Sequence, residues 1–245
     1  MKQYFNVNFQ FNHAALEKTI EETAISGKGY CCFIDATSLV YSFQNHDFRA
    51  ILNRSLANSC DGSYIALLAS KIHNLPLKEY IGPDFFKKHI YKPNRHLILG
   101  NTEEVFAKVC AKVALKSANT DSLNFLPLPY KQVNEFDYQG IANYINQEQP
   151  NFIWVSLGAP KQEEFMSNLL PLINSGVMLG VGAALNYFTG EVKDIPNWAR
   201  KTHLIWLYRI FTEPKKQIKR CADIILVLPV MYIQEKKQVK KASNE

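Results

Sequence analysis

The residues best placed to do chemistry lie in Val155-Ser-Leu-Gly-Ala-Pro-Lys-Gln-Glu-Glu-Phe165. Phe152 to Leu157 is a short apolar run rich in β-branched and aromatic residues, which predicts a buried strand. Gly158 breaks that run, and Pro160 suits the first turn of a helix. Lys161, Gln162, Glu163 and Glu164 then fall at the helix N-terminus, where free N–H donors favour anionic ligands. A lysine there suits a diphosphate, and a glutamine amide can both donate to and accept from a sugar or phosphate oxygen. A solvated polar first turn accounts for the same residues equally well, with Glu163 bonding backbone donors. Asp61, in Asn58-Ser-Cys-Asp-Gly62, precedes an apolar helix. Such an aspartate is either a turn or cap residue or a carboxylate able to take a proton from a hydroxyl.

These residues need a scaffold. Residues 4–11 alternate with period 2 and predict one strand. Helices are expected over 14–25, 38–43, 48–57, 63–72, 84–91, 102–117, 138–147 and 166–174. Strands are expected over 30–34, 95–100, 125–128, 152–157 and 177–181, with a turn at 58–62. Strand and helix alternate from about residue 30 to 190. That order predicts an α/β, Rossmann-like, mostly parallel sheet with helices on both faces. In such a sheet, ligands sit outside the carboxyl ends of the strands. After Pro196 the pattern turns helical. The expected division is an α/β catalytic body over 1–194 and a helical C-terminal appendage over 195–245.

Charge separates the same two parts. Of the 28 Lys and Arg residues, 12 lie in 193–245 beside only 5 of the 22 acids, so the tail is strongly basic and the body near neutral. Five cysteines, at 31, 32, 60, 110 and 221, show no metal-ligand spacing and read as reduced thiols. Met1 to Val7 has no apolar core of a signal peptide, and no apolar run reaches about 18 residues. Gly180-Val-Gly182 fails as a dinucleotide fingerprint because Leu185 stands where the third glycine belongs. Close backbone approach to a ligand is the better reading of Gly182, with Asn186 and Tyr187 facing the same cleft. The basic tail is interleaved with aliphatic rather than stacking aromatic residues, which argues against nucleic acid.

Further on stand Gly180-Val-Gly-Ala-Ala-Leu-Asn-Tyr-Phe-Thr-Gly190, Pro196-Asn-Trp-Ala-Arg200 and Leu204-Ile-Trp-Leu-Tyr-Arg-Ile-Phe-Thr-Glu-Pro214. With the Gly158-x-Pro-Lys-Gln-Glu turn, they resemble the WecG/TagA/CpsF glycosyltransferases, glycosyltransferase family 26, over roughly residues 28–220. The resemblance implies an inverting, metal-independent enzyme with no cofactor. It would move a hexosyl or N-acetylhexosaminyl group, such as N-acetylmannosaminyl, from a UDP-sugar to a polyprenyl-diphosphate-linked sugar in surface polysaccharide or teichoic acid-type synthesis. It makes Asp61 the catalytic base. Substrate contacts are expected from Asp35, Gly158, Lys161, Gln162, Glu163, Gly182, Asn186, Arg200, Arg209 and Arg220. Phe33 and Asp35 replace the family's T-x-N, Glu79 replaces an arginine, and Ile205 replaces the acid of L-E-W. These departures are expected to bear on sugar specificity. The alternative is a non-catalytic nucleotide-sugar or membrane-surface binding protein of the same fold.

The tail holds a short apolar stretch, Cys221 to Ile233, between Lys215, Lys216, Lys219 and Arg220 on one side and Lys236, Lys237, Lys240 and Lys241 on the other. Basic flanks around a short apolar helix suit an anionic membrane surface. Packing on the chain's own body or on a second copy is the competing reading. The expected location is cytoplasmic, peripheral on the inner face of the membrane.

Overall fold

The computed structural model describes residues 1–116, 120–192, 196, 199, 202 and 214–242, the side chains of 120, 214–221 and 242 excepted. An N-terminal hairpin pairs β1 (Lys2–Tyr4) with β2 (Val7–Phe9). Then come α1 (His13–Ser26), β3 (Lys28–Ile34), α2 (Ala36–Gln44), α3 (His46–Arg54), β4 (Ala57–Cys60) and α4 (Ser63–His73). The middle of the chain supplies α5 (Gly82–His89), β5 (His96–Leu99), α6 (Glu103–Ala114), β6 (Leu123–Leu126) and α7 (Tyr138–Glu148). The last sheet strands are β7 (Phe152–Val155), which leads into α8 (Lys161–Leu169), and β8 (Gly176–Gly180), which leads into α9 (Ala184–Thr189). A long helix, α10 (Pro214–Ala242), closes the chain.

β3 to β8 form one parallel sheet in the order β4-β3-β8-β7-β5-β6. Both faces are buried, so its strands carry apolar residues at successive positions, as parallel sheets require. The period of 2 assigns them to faces. Cys32, Ile34, Leu97, Leu99, Ile153, Val155 and Met178 pack with α2, α3, α4, α7, α8 and α10. Cys31, Phe33, Ile98, Phe152, Trp154, Val177 and Leu179 pack with α1, α5, α6 and α9. The α/β fold with helices on both faces is as the sequence predicts.

Two strands differ from expectation, and α9 forms where no helix is expected. Residues 4–11 are not one strand, because Phe5 and Asn6 take positive φ (52° and 62°) and turn the chain back on itself. A two-residue hairpin turn needs that conformation at both positions, and usually advertises it with Asn-Gly or Asp-Gly. Here a phenylalanine occupies the first position, so the alternation read straight through the turn. The second is Ala57–Cys60, expected as part of a helix end and a turn, which forms the edge strand β4. Its polar residues mimic a turn, but they are buried and bonded. The Asn58 amide nitrogen donates to the Asn8 and Leu52 carbonyls, both at 2.8 Å, and Ser59 Oγ donates to the Tyr80 carbonyl at 2.6 Å.

The C-terminal helix packs on the body through α2 and α4. Leu228 and Met231 enter the core beside α2 and α4. Glu235 is buried; one carboxylate oxygen accepts from the Phe5 N–H at 2.8 Å, and the other lies 2.8 Å from His73 Nε2. Among the described residues no helix is long and apolar enough to cross a membrane. The expected division between residues 194 and 195 falls on positions outside the described residues.

Candidate active site

Strand order decides which side chains meet. β4, β3, β8 and β7 are successive neighbours, so their carboxyl ends form one edge. A cleft of about 1400 Å³ opens along it. Asp35 follows β3, Asp61 follows β4, Gly158 follows β7, and Gly180 to Gly182 end β8; all line the cleft, as do Gln162, Asn186 and Tyr187. The geometry therefore gathers Asp61, Asp35, Gly158, Gln162, Gly182 and Asn186 at one place.

Asp61 is held by the sheet. Its N–H donates to the Ile34 carbonyl at 2.9 Å, extending the β3–β4 ladder by one residue. The segment around Glu79 is pinned alongside, since the Tyr80 N–H donates to the Cys60 carbonyl at 2.9 Å. That brings Glu79 and Ile81 to the cleft beside Asp61. Burial pushes the Cys60 thiol up to about 12, and the carboxylates of Asp61 and Glu79 add to the effect. Asp35 caps α2: its Oδ1 accepts from the Ser38 N–H at 2.8 Å and the Ser38 hydroxyl at 2.9 Å. Only part of its carboxylate is left for a ligand.

Gln162 shapes the floor. Its amide nitrogen donates to the Gly180 carbonyl at 3.1 Å and to Glu163 Oε1 at 2.9 Å, and its oxygen accepts from the Gly182 N–H at 3.1 Å. The amide thus spans the turn that leaves β8. Gly182 sits at φ +53°, and a Cβ on Gly180 would fall 2.8 Å from Met166 Cε and 3.2 Å from Gln162 Cδ. Gly182 favours glycine for its backbone conformation, and at Gly180 a side chain would have to displace the Met166 methyl and crowd the Gln162 amide. On the other side of the turn, Ser156 Oγ donates to the Gly182 carbonyl at 2.7 Å. The Asn101 amide nitrogen donates to Asn186 Oδ1 at 2.7 Å and to Ser156 Oγ at 3.2 Å.

Two expected contacts lie elsewhere. Lys161 directs its ammonium to the Lys131 carbonyl and over the rings of Tyr130 and Phe136, at 5.2 and 5.0 Å, and it does not line the cleft. A helix's first turn points side chains around its whole circumference, so proximity in sequence to Gln162 does not place Lys161 beside it. Glu163 lies beneath the cleft, fully buried, with Oε2 unpaired. Arg200 and Arg209 are outside the described residues, as are Ile205 and the side chain of Arg220. Among the described residues no lysine, arginine or histidine lines the cleft; Asp35, Asp61, Glu79, Asp84 and Asp223 do.

Sequence reasoning missed Asn101, Ser156 and the C-terminal wall. Asn101 carried a signal: it follows Gly100 at the carboxyl end of a strand, the place where such sheets bind ligands. The wall comprises Asp223, Ile224, Ile225, Leu228, Pro229 and Tyr232 of α10, and nothing local in that stretch shows what it faces.

Glu163 carries a pH prediction. Burial pushes its carboxyl up to about 7, against help from the Gln162 amide, with Asp35 and Glu164 adding repulsion. A group whose folded pKa lies above its unfolded value near 4.5 stabilises fully below that value, and its contribution is lost as pH rises through 7. The loss is on the order of 3 kcal/mol. Glu163→Gln removes this dependence. Urea unfolding of both proteins at pH 5 and pH 8 is expected to show the parent losing more stability across the interval than the variant. Parallel losses would mean that Glu163 is already ionised at pH 5.

Comparison with known proteins identifies the family. The family described as Glycosyl transferase WecG/TagA/CpsF family matches residues 3–242. The N-acetylglucosaminyldiphosphoundecaprenol N-acetyl-beta-D-mannosaminyltransferase of Bacillus subtilis strain 168 is 26% identical over 177 residues, 71% of this chain and 67% of that protein. Its namesake from Bacillus spizizenii strain W23 is 27% identical over 180 residues, 71% of this chain and 68% of that one. The family match runs through the strand ends that build the cleft and through the helix that walls it: the chain belongs to the WecG/TagA/CpsF family and is a glycosyltransferase.

Proposed function

We propose that this enzyme transfers a hexosyl or N-acetylhexosaminyl group, N-acetylmannosaminyl being the first candidate, from a UDP-sugar to a polyprenyl-diphosphate-linked sugar. The observation that carries the reading is Asp61, a carboxylate fixed at a strand end on the wall of a cleft with room for two substrates. In support, the two Bacillus relatives are named for transfer of N-acetylmannosamine to a diphosphoundecaprenol-linked sugar. Asp61 takes the proton of the acceptor hydroxyl as its oxygen attacks the anomeric carbon. The bond from that carbon to the UDP oxygen breaks in the same displacement, which inverts the configuration. Gln162 and Gly182 shape the donor's floor, and Asn186 contacts the donor. Arg200, Arg209 and Arg220 balance the charge on the departing diphosphate, bidentate pairing being the reason for arginine.

A panel of UDP-sugars tests this, with UDP release measured in the presence of a soluble acceptor bearing N-acetylglucosamine on a lipid diphosphate. One donor is expected to give acceptor-dependent release that persists in EDTA, with an inverted product linkage. Folded protein that releases no UDP with any donor would overturn the reading. Release abolished by EDTA and restored by a divalent cation would overturn the metal-independent form of it.

An acceptor of this kind keeps its lipid in a bilayer, and α10 has a surface for reaching it. Ile225, Leu226, Val230 and Ile233 are exposed, and at about 100° per residue they share one side with Lys236, Lys237, Lys240 and Lys241. The enzyme is expected to sediment with anionic vesicles at low salt and to release at high salt. Replacing those four lysines by glutamine should weaken binding by about 1 kcal/mol per charge. Protein that stays in the supernatant at low salt would assign the apolar stripe to self-association instead.

A further inference from the structure

We infer that the cleft continues past Asp61 into an apolar arm, between α4 and α10, that holds the first isoprenyl units of the acceptor lipid. This rests on the acceptor class proposed above and adds where its chain runs. The size of the cleft, about 1400 Å³, exceeds the roughly 300–1000 Å³ of ordinary small-molecule sites. Its two ends differ in chemistry. At the sheet end the lining offers backbone and amide groups at Gly158, Gly182, Gln162 and Asn186, beside apolar Val181 and Ala184. At the helix end it is mainly apolar, Leu67 and Leu68 of α4 with Ile224, Leu228 and Tyr232 of α10, Asp223 being the charged residue that α10 adds. Asp61, at the end of β4 and the start of α4, lies where the two meet. A sugar donor needs the polar end; a hydrocarbon needs the other.

The apolar arm is a built wall rather than a loose tail. Leu228 and Met231 anchor α10 in the core, and Glu235 ties it to the Phe5 N–H and to His73. The arm is also continuous with the outside. Ile225 lines the cleft and yet is 64% exposed, and Tyr64 lines it from α4 at 44% exposure. Pro229, one turn on, lines the cleft beside Ile225, and Leu226 and Val230 farther round the helix are exposed as well. Ile225 thus belongs both to the cleft wall and to the exposed stripe assigned to the bilayer, so a hydrocarbon chain leaving the cleft past it reaches that stripe directly. A water-soluble acceptor would not use such a path, whereas an isoprenyl chain gains about fourfold in affinity for each methylene it buries.

The test uses the full-length enzyme in buffer without vesicles or detergent. Two soluble acceptors share the N-acetylglucosaminyl diphosphate head; one carries an ethyl group and the other a two-isoprene chain. UDP release gives the acceptor KM for each. The parent is expected to show a KM at least 100-fold lower for the isoprenyl acceptor. Leu67→Asn and Ile225→Asn should each cut that ratio tenfold or more, with donor KM and the rate at saturating acceptor unchanged. Ile225 is an exposed residue, so that variant keeps the question open to refutation if Leu67→Asn unfolds. Equal KM values for the two acceptors in the parent, or a ratio that Ile225→Asn leaves untouched, would overturn the arm. Absence of release with either acceptor would overturn the reaction itself, and the arm with it.

Discussion

Asp61→Asn is expected to fold like the parent, bind donor with unchanged affinity, and turn over at least about 100-fold more slowly, the scale of general base catalysis. The change is isosteric and leaves the backbone alone, so the Asp61 N–H bond to the Ile34 carbonyl survives. What goes is the ability to take a proton. Asp35→Asn is the matched control. Asparagine caps helices as well as aspartate does, and its oxygen can still accept from Ser38. A modest effect there beside a large one at Asp61 would separate catalysis from capping. Two carboxylates at neighbouring strand ends make this pairing necessary, since either could reach a hydroxyl in the cleft. Asp61→Asn turning over at the parent rate would move the base to another of the lining acids, with Glu79 first.

Removal of residues 214–245 is expected to abolish transfer and to lower the melting temperature. The cut strips the wall of Ile224, Leu228 and Tyr232 from the cleft. It also uncovers the core beside α2 and α4 where Leu228 and Met231 were seated. Glu235→Ala asks the same question by a single change. It leaves the buried Phe5 N–H and the partly buried His73 without their partner. Orphaned buried groups cost about 1–3 kcal/mol each, which for a chain of this size lowers the melting temperature by about 5 °C or more. If α10 positions the acceptor, Glu235→Ala should raise the acceptor KM more than the donor KM. A truncated protein that transfers sugar at the parent rate would show that the body alone holds both substrates.

Much of this molecule was legible in its local patterns. The runs at 30–34, 152–157 and 177–181 are too apolar and too short for anything but buried strands, and the amphipathic spacing of Val105, Val109 and Val113 specifies a helix. Period 2 and period 3.6 are properties of neighbouring residues, so they survive in a bare sequence. The Gly158 turn and the Gly180 segment were also visible, because a glycine marks its own backbone need. What a sequence does not carry is direction across the sheet. That Asp35, Asp61, Gly158 and Gly182 share one edge follows from the order β4-β3-β8-β7-β5-β6, which pairs residues as distant in the chain as Lys28 and Gly176. Lys161 and Glu163, adjacent to Gln162, leave the cleft on either side of it, because the angle at which α8 docks selects one residue of the turn. Polar Asn58 and Ser59 became strand only by finding buried partners at Asn8, Leu52 and Tyr80. The C-terminal helix is apolar on more than one side, so its composition could not say which side faces the body. In the fold that side carries Leu228 and Met231 into the core and Glu235 to a backbone N–H 230 residues away.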